Sequence, residues 1–275
     1  IRSVLKEIKQ KEDLDKLATD LATAHIRLAG AYKKLQKLDE VKTDFISITS
    51  HQLRTPLSAV KGYISMLLEG DYGKLPRNFV RPMGNVYEAA ERLIKLVNSL
   101  LDVSRLEAGK EQFQPAQTNI EELIVELVQE FGSVAGKKKI KLKFEKPKIK
   151  IPVIQADKEK LKQAISNLID NALKYTPKGY ITITLDVKAQ NSSQIGEDKL
   201  VVKVKDTGAG MTKEEIEKLF QTFSRGAAGL MFWMQGAGLG LYIAKKFIDM
   251  HKGEIWAQSE GKGRGSTFYI EIPMR

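Results

Sequence analysis

The chain has 275 residues, 42% of them hydrophobic and 29% charged, with no cysteine. That much apolar surface can bury a core, which excludes disorder and collagen-like repeats, while the missing cysteines exclude disulfides, thiolate metal sites and a cysteine nucleophile. Lys and Arg number 45 against 34 Asp and Glu, a formal charge of +11 that suits a phosphate-bearing ligand or an acidic partner where it is not simply a solvated surface.

At roughly 150 residues per domain the length allows one or two domains, more if one is an extended helix. The sequence opens on Ile1 rather than Met and carries no signal peptide, so a fragment with a further segment upstream is expected. Leu14, Leu21, Leu28 and Leu35 stand seven apart, with Leu17, Ala24, Ala31 and Leu38 offset by three. An apolar seam of this kind flanked by charge predicts a coiled coil over residues 1–40 that pairs with a second copy. The periodicity runs on through Val41, Phe45 and Ile48 to Leu68, and the breakers from Gly70 to Pro76 end the helix. A second amphipathic helix is expected from about Arg77 to Glu107, with Met83, Val86, Tyr87, Ala90, Ile94, Val97 and Leu101 on its apolar face. Two long helices joined by a short turn make a hairpin, and two hairpins make a four-helix bundle.

Beyond Ala108-Gly109 short strand-like runs alternate with helical ones, predicting one α/β domain with helices against a sheet. Strands are expected at Lys139–Phe144, Tyr180–Val187, Leu200–Lys205, Glu254–Gln258 and Ser266–Ile272. Helices are expected at Lys158–Lys174, Lys213–Phe220 and Leu239–His251. Eight lysines crowd residues 137–150, but their one aromatic neighbour, Phe144, is in phase with Ile140 and Leu142. They therefore read as the solvated face of a strand, not as a nucleic-acid contact. Residues 226–244 carry no charge, yet five glycines make the stretch a loop and not a membrane span.

Of the three histidines, His25 lies beside the coiled-coil seam and His251 closes a helix before Lys252-Gly253, where an imidazole caps free carbonyls. His51 shares a polar stripe with Ser47, Arg54 and Ser58, and Pro56, which removes a backbone donor and presses on the Gln52 carbonyl, is expected to bend the helix just beyond the imidazole. From position alone it is either a functional imidazole or an ordinary surface one. Asn167, Asn171 and Lys174 share one helix face, where amide oxygens suit a hard divalent cation and an ammonium reaches a phosphate. Asp206-Thr207-Gly208-Ala209-Gly210 follows a strand: a carboxylate fixed there accepts from an exocyclic amine, and the glycines let backbone approach a flat ring. Gly236-Ala237-Gly238-Leu239-Gly240 opens a helix whose free amides suit phosphate. Gly261-Lys262-Gly263-Arg264-Gly265 then precedes Ser266-Thr267. Neither the P-loop pattern nor the dinucleotide fingerprint is present.

The run Phe45–Leu57 around His51 resembles the phosphoacceptor box of bacterial sensor histidine kinases, and Asn167–Thr176 resembles their asparagine box. Asp206–Gly210, Phe220–Phe223, Gly236–Gly240 and Gly263–Thr267 are similar to the glycine and phenylalanine boxes of the same family, in the family's order. The resemblance covers about residues 41–275, and residues 1–40 match a generic signalling coiled coil. It implies an α+β multidomain protein: a coiled coil at 1–40, a dimerisation and phosphotransfer hairpin at 41–112 completing a dimeric four-helix bundle, and an α/β sandwich ATP-binding domain of the Hsp90 and gyrase type at 113–275, a mixed sheet packed on helices. It also implies ATP and Mg²⁺, with His51 attacking the γ-phosphoryl group and Asn167 and Asn171 carrying the metal. Lys174 and the amides around Gly236, Gly238, Leu239 and Gly240 meet phosphates. Asp206 with Gly208 and Gly210 takes the adenine, and Tyr175 and Thr267 lie at the nucleotide site. The hinge at Gly109–Pro115 and the lid between Phe220 and Gly236 are then expected to move. The implied partners are a second copy of the chain and the receiver domain of a response regulator, with no nucleic acid and no membrane segment in this stretch. The implied location is cytoplasmic, with membrane anchoring of a parent protein left open.

Two features depart from the family. Gln52 stands where a Glu or Asp usually serves as base; its amide oxygen holds a ring N–H but cannot take the proton. General base catalysis is typically worth about 10²–10⁴-fold, so slow autophosphorylation is expected. Thr55 retains the position that in relatives orients water for dephosphorylating the partner. The second departure is Leu230-Met231-Phe232-Trp233-Met234, unusually apolar for a lid, which either docks on a neighbouring surface or folds under its own domain. The rival readings are an Hsp90 or gyrase-like ATPase and a nucleotide-sensing dimeric scaffold with weak kinase activity.

Overall fold

The computed structural model describes residues 2–147, 149–188, 198–220 and 238–274. Helix α1 runs unbroken from Arg2 to Glu69, through Pro56, so the heptad and the His51 segment form one rod, about 100 Å long at 1.5 Å per residue. Gly70 and Gly73, both with positive φ, turn the chain, and α2 spans Arg77–Glu107. The two helices pack antiparallel, with Ala90, Val97 and Leu101 buried on α2 and the ion pairs Lys61–Glu91 and Lys42–Glu107 between them. Leu17, Leu21, Leu28, Leu35 and Leu38 are each about two-thirds exposed on the single chain.

The rest of the chain is a sheet with helices on one face. Strands β2 (Ile140–Glu145), β4 (Gly179–Lys188), β5 (Lys199–Asp206), β7 (Ser266–Pro273) and β6 (Glu254–Gln258) lie in the order β2-β4-β5-β7-β6; β2 and β4 are parallel, the other pairs antiparallel. Alternation decides which face is buried: Ile181, Ile183 and Leu185 on β4, Leu200, Val202 and Val204 on β5, and Phe268, Ile270 and Ile272 on β7 all turn inward. Against them pack α3 (Ile120–Lys137), α4 (Lys158–Tyr175) and α6 (Gly240–Met250), whose apolar residues recur at helical spacing. The lysines of β2 stand exposed on an edge strand, as their alternation predicts.

Helix α3 and the short pair β1 (Ala116–Thr118) and β3 (Ile154–Ala156) have no counterpart in the expectations from sequence. Helix α5 is shorter than expected: a capping box between Thr212 and Glu215 starts it, but it ends at Glu217 instead of Phe220.

Candidate functional site

Three of the predicted segments, and the described part of the fourth, meet at one end of the sheet. Ala209 N–H donates to the Tyr175 carbonyl at 3.0 Å, joining the end of α4 to the turn after β5. Gly263 N–H donates to the Ala209 carbonyl at 2.7 Å and Gly265 N–H to the Gly208 carbonyl at 3.2 Å, which brings in the turn before β7. Asn167 Nδ2 donates to the Gly240 carbonyl at 3.0 Å, tying α4 to the first residue of α6.

Asp206 is the buried acid of this cluster, 5% exposed. Burial raises its carboxyl above the usual carboxylate range, opposed by N–H donors from Gly208, 2.7 Å from Oδ1, and from Ser266. The surrounding backbone is too close for side chains. A Cβ on Gly208 would collide with the Tyr175 carbonyl oxygen, and one on Gly210 with the Gly261 carbonyl oxygen. Ser259, which the sequence reading missed, holds the turns together: its hydroxyl accepts from Met211 N–H at 3.0 Å and donates to the Gly265 carbonyl at 2.7 Å.

Asn171 and Lys174 continue the Asn167 face of α4, both half-buried, with Lys174 Nζ 5.3 Å from the centre of the exposed Tyr175 ring. Leu239 is buried at the head of α6, beside Gly238, which has a φ of +69° and where an added Cβ would meet none of the described residues within 4 Å. Thr267 sits half-buried on β7 opposite Lys205 and Gln258. Gly236 and the apolar lid Leu230–Met234 lie outside the described residues.

His51, Gln52 and Thr55 are elsewhere, exposed on α1, with Thr55 Oγ1 donating back to the His51 carbonyl at 3.3 Å. Among the described residues no side-chain hydrogen bond joins His51 to the sheet domain. Between the two regions, the expected hinge is pinned on its far side. Gln114 N–H donates to Asp157 Oδ2 at 2.9 Å, Glu111 pairs with Lys160 at 3.0 Å, and Phe113 meets the His251 ring edge-on at 4.8 Å. His251 caps α6 as expected and does more: Nδ1 lies 2.7 Å from the Phe247 carbonyl, and Nε2 accepts the Asp157 N–H at 3.0 Å. That bond places the ring proton on Nδ1. Burial holds this histidine below its ordinary value. On the hairpin side, Asp102 of α2 accepts from Gln163 Nε2 of α4 at 2.7 Å, its carboxyl raised by burial.

Residues 41–109 match the family model described as the His Kinase A (phospho-acceptor) domain, and residues 156–275 match the histidine kinase-, DNA gyrase B- and HSP90-like ATPase model. The sensor histidine kinase WalK of Bacillus subtilis is 31% identical over 98% of this chain and 44% of its own length. The sensor protein EvgS of Escherichia coli K12 is 32% identical over 88% of this chain and 20% of its own. The chain thus spans less than half the length of these relatives. Among solved structures, full-length ShkA in complex with AMPPNP superposes with a TM-score of 0.66 at 27% identity, covering 84% of this chain and 46% of that one. The histidine kinase AdeS of Acinetobacter baumannii, 23% identical over 82% of this chain and 98% of that one, shares the fold at a TM-score of 0.55.

Proposed function

The chain belongs to the sensor histidine kinases, whose catalytic region it carries, and we propose that it transfers the γ-phosphoryl group of ATP to His51 and then to an aspartate of a separate response regulator. The observation that carries this reading is the convergence of the asparagine helix and the glycine turns around Asp206, paired with a solvent-exposed His51 on a helical hairpin.

Asp206 accepts from the adenine amine, Gly208 and Gly210 let the base lie against backbone, and Tyr175 and Thr267 wall the site. Lys174 and the amides of Gly236, Gly238, Leu239 and Gly240 take phosphate charge. Asn167 and Asn171 fit Mg²⁺: the Asn167 amide nitrogen is spent on Gly240, which leaves its oxygen for a hard cation. When bound, the metal neutralises phosphate charge. A lone pair of the neutral His51 ring forms a bond to the γ-phosphorus while the bond to the β–γ bridging oxygen breaks, its electron pair leaving with ADP. Gln52 holds the N–H of the other ring nitrogen through its amide oxygen, and that proton is lost to water.

The working unit is a dimer: residues 1–40 pair as a coiled coil, the hairpin at 41–112 completes a four-helix bundle, and residues 113–275 form the ATP-binding domain. Exposure of Leu17, Leu21, Leu28, Leu35 and Leu38 on the single chain supports pairing. Thr55 leaves a phosphatase activity toward the receiver available. Among the described residues no helix is long and apolar enough to cross a membrane.

Incubation with γ-labelled ATP tests the function. A kinase retains acid-labile, alkali-stable label that His51→Gln abolishes. An Hsp90 or gyrase-like ATPase releases all of it as phosphate. A nucleotide-sensing scaffold with weak kinase activity binds ATP and labels only weakly, and Gln52→Glu does not raise the label.

A further inference from the structure

Arg54 stands three residues beyond His51 on α1, so the two side chains share a helix face. It is half-buried, and its Nε and Nη2 both donate to one acceptor, Asn98 Oδ1 on α2, at 3.1 and 2.6 Å. A guanidinium carries five N–H donors in a rigid plane, so three remain after Asn98 is satisfied. Four cations of the hairpin and its end, Lys42, Lys61, Arg92 and Lys110, are ion-paired. Among the described residues Arg54 has no such carboxylate. The acid one turn along α2 from Asn98, Asp102, accepts from Gln163 and reaches Arg54 only through its charge, without an ion-pair contact.

The chemistry of residue 98 is the informative part. An aspartate there would hold the guanidinium more strongly, through a charge-assisted bond, but would cancel its charge. An amide oxygen fixes the plane and leaves the charge in place. An oriented guanidinium with no direct ion pair, one helical turn from an exposed imidazole, matches a phosphoryl group, whose equatorial oxygens collect charge in the transition state.

We infer that Arg54, oriented by Asn98, binds the phosphoryl oxygens at His51 during transfer and in the phosphohistidine. The inference rests on the reading of His51 as phosphoacceptor. Arg54 is the catalytic residue in this scheme and Asn98 a positioning residue. The contact is also continuous with the nucleotide helix, because Asn98 and Asp102 are i, i+4 on α2, and Gln163 and Asn167 are i, i+4 on α4.

Single-turnover labelling of the full chain at saturating ATP tests this, with nucleotide affinity and thermal melting measured on the same samples. Arg54→Gln is expected to slow labelling of His51 about 10²-fold with ATP affinity within twofold of the parent. Asn98→Asp decides between functional and structural roles. It keeps or raises the melting temperature because it adds an ion pair, yet slows labelling at least tenfold because it cancels the charge. Arg54→Lys, with the charge but not the fork, falls between Arg54→Gln and the parent, and it carries the test with Asn98→Asp if Arg54→Gln unfolds. Asn98→Asp labelled as fast as the parent, or Arg54→Gln with an unchanged rate, overturns the inference alone. A parent chain that labels no histidine overturns the reading of His51 and the inference together.

Discussion

Gly265 and Gly238 both hold left-handed backbone, with φ of +72° and +69°, but their surroundings differ. An added Cβ at Gly265 collides with the Asp206 carbonyl oxygen and comes within 3.0 Å of Thr207 Cα, whereas at Gly238 no heavy atom of the described residues lies within 4 Å. Alanine in left-handed backbone costs about 1 kcal/mol relative to glycine at either site. Overpacking against backbone, which cannot swing aside, adds about 1–3 kcal/mol at Gly265 alone. Gly265→Ala is therefore expected to lose about 2–4 kcal/mol in urea denaturation, and Gly238→Ala about 1 kcal/mol. Because the collision is with the residue that supplies the buried carboxylate, Gly265→Ala also weakens binding of a fluorescent ATP analogue at saturating folded protein, by tenfold or more. Equal losses at the two positions, or intact nucleotide binding in Gly265→Ala, would refute the claim that close backbone approach at Asp206 shapes the base site.

Other expectations concern the chemistry and the assembly. Gln52→Glu supplies a general base and is expected to speed His51 phosphorylation at least tenfold in single turnovers; an unchanged rate removes the role given to residue 52. Asp206→Asn forfeits a charge-assisted bond of about 1.5–3 kcal/mol, read as weaker ATP binding by calorimetry. Burial raises the Asp206 carboxyl, so protonation, which removes the charge and weakens the acceptor, sets in as pH falls earlier than an ordinary carboxylate allows, and affinity falls with it; a profile unchanged by Asp206→Asn contradicts this. Leu21→Asp with Leu28→Asp puts charge into the seam where each leucine, once buried, contributes about 1.5–3 kcal/mol, and sedimentation should show a dimer weakened at least 10²-fold.

The hairpin was legible because its signals are local: breakers from Gly70 to Pro76 and a 3.6 period end α1 and span α2 as the structure has them. The strands after Gly179 were legible for the same reason, each alternating over five or more residues. Helix α3 carried an overlooked signal, Asn119 capping Glu122 ahead of Ile120, Leu123, Ile124 and Leu127. Strands β1 and β3, three residues each, are too short to show a period at all. At the site, glycine spacing marked the turns, but not what fastens them. Ser259 acts through contacts 6 to 48 residues away, and Arg54 finds Asn98 across 44 residues; such pairings follow from tertiary packing and leave no local trace.

The most direct measurement is the fate of the γ-phosphoryl group. With γ-labelled ATP and Mg²⁺, the parent chain should acquire acid-labile, alkali-stable label, mass spectrometry should place it on His51, and His51→Gln should acquire none. Label on another residue, or complete release as inorganic phosphate with His51→Gln turning over as fast as the parent, would contradict phosphotransfer through this imidazole.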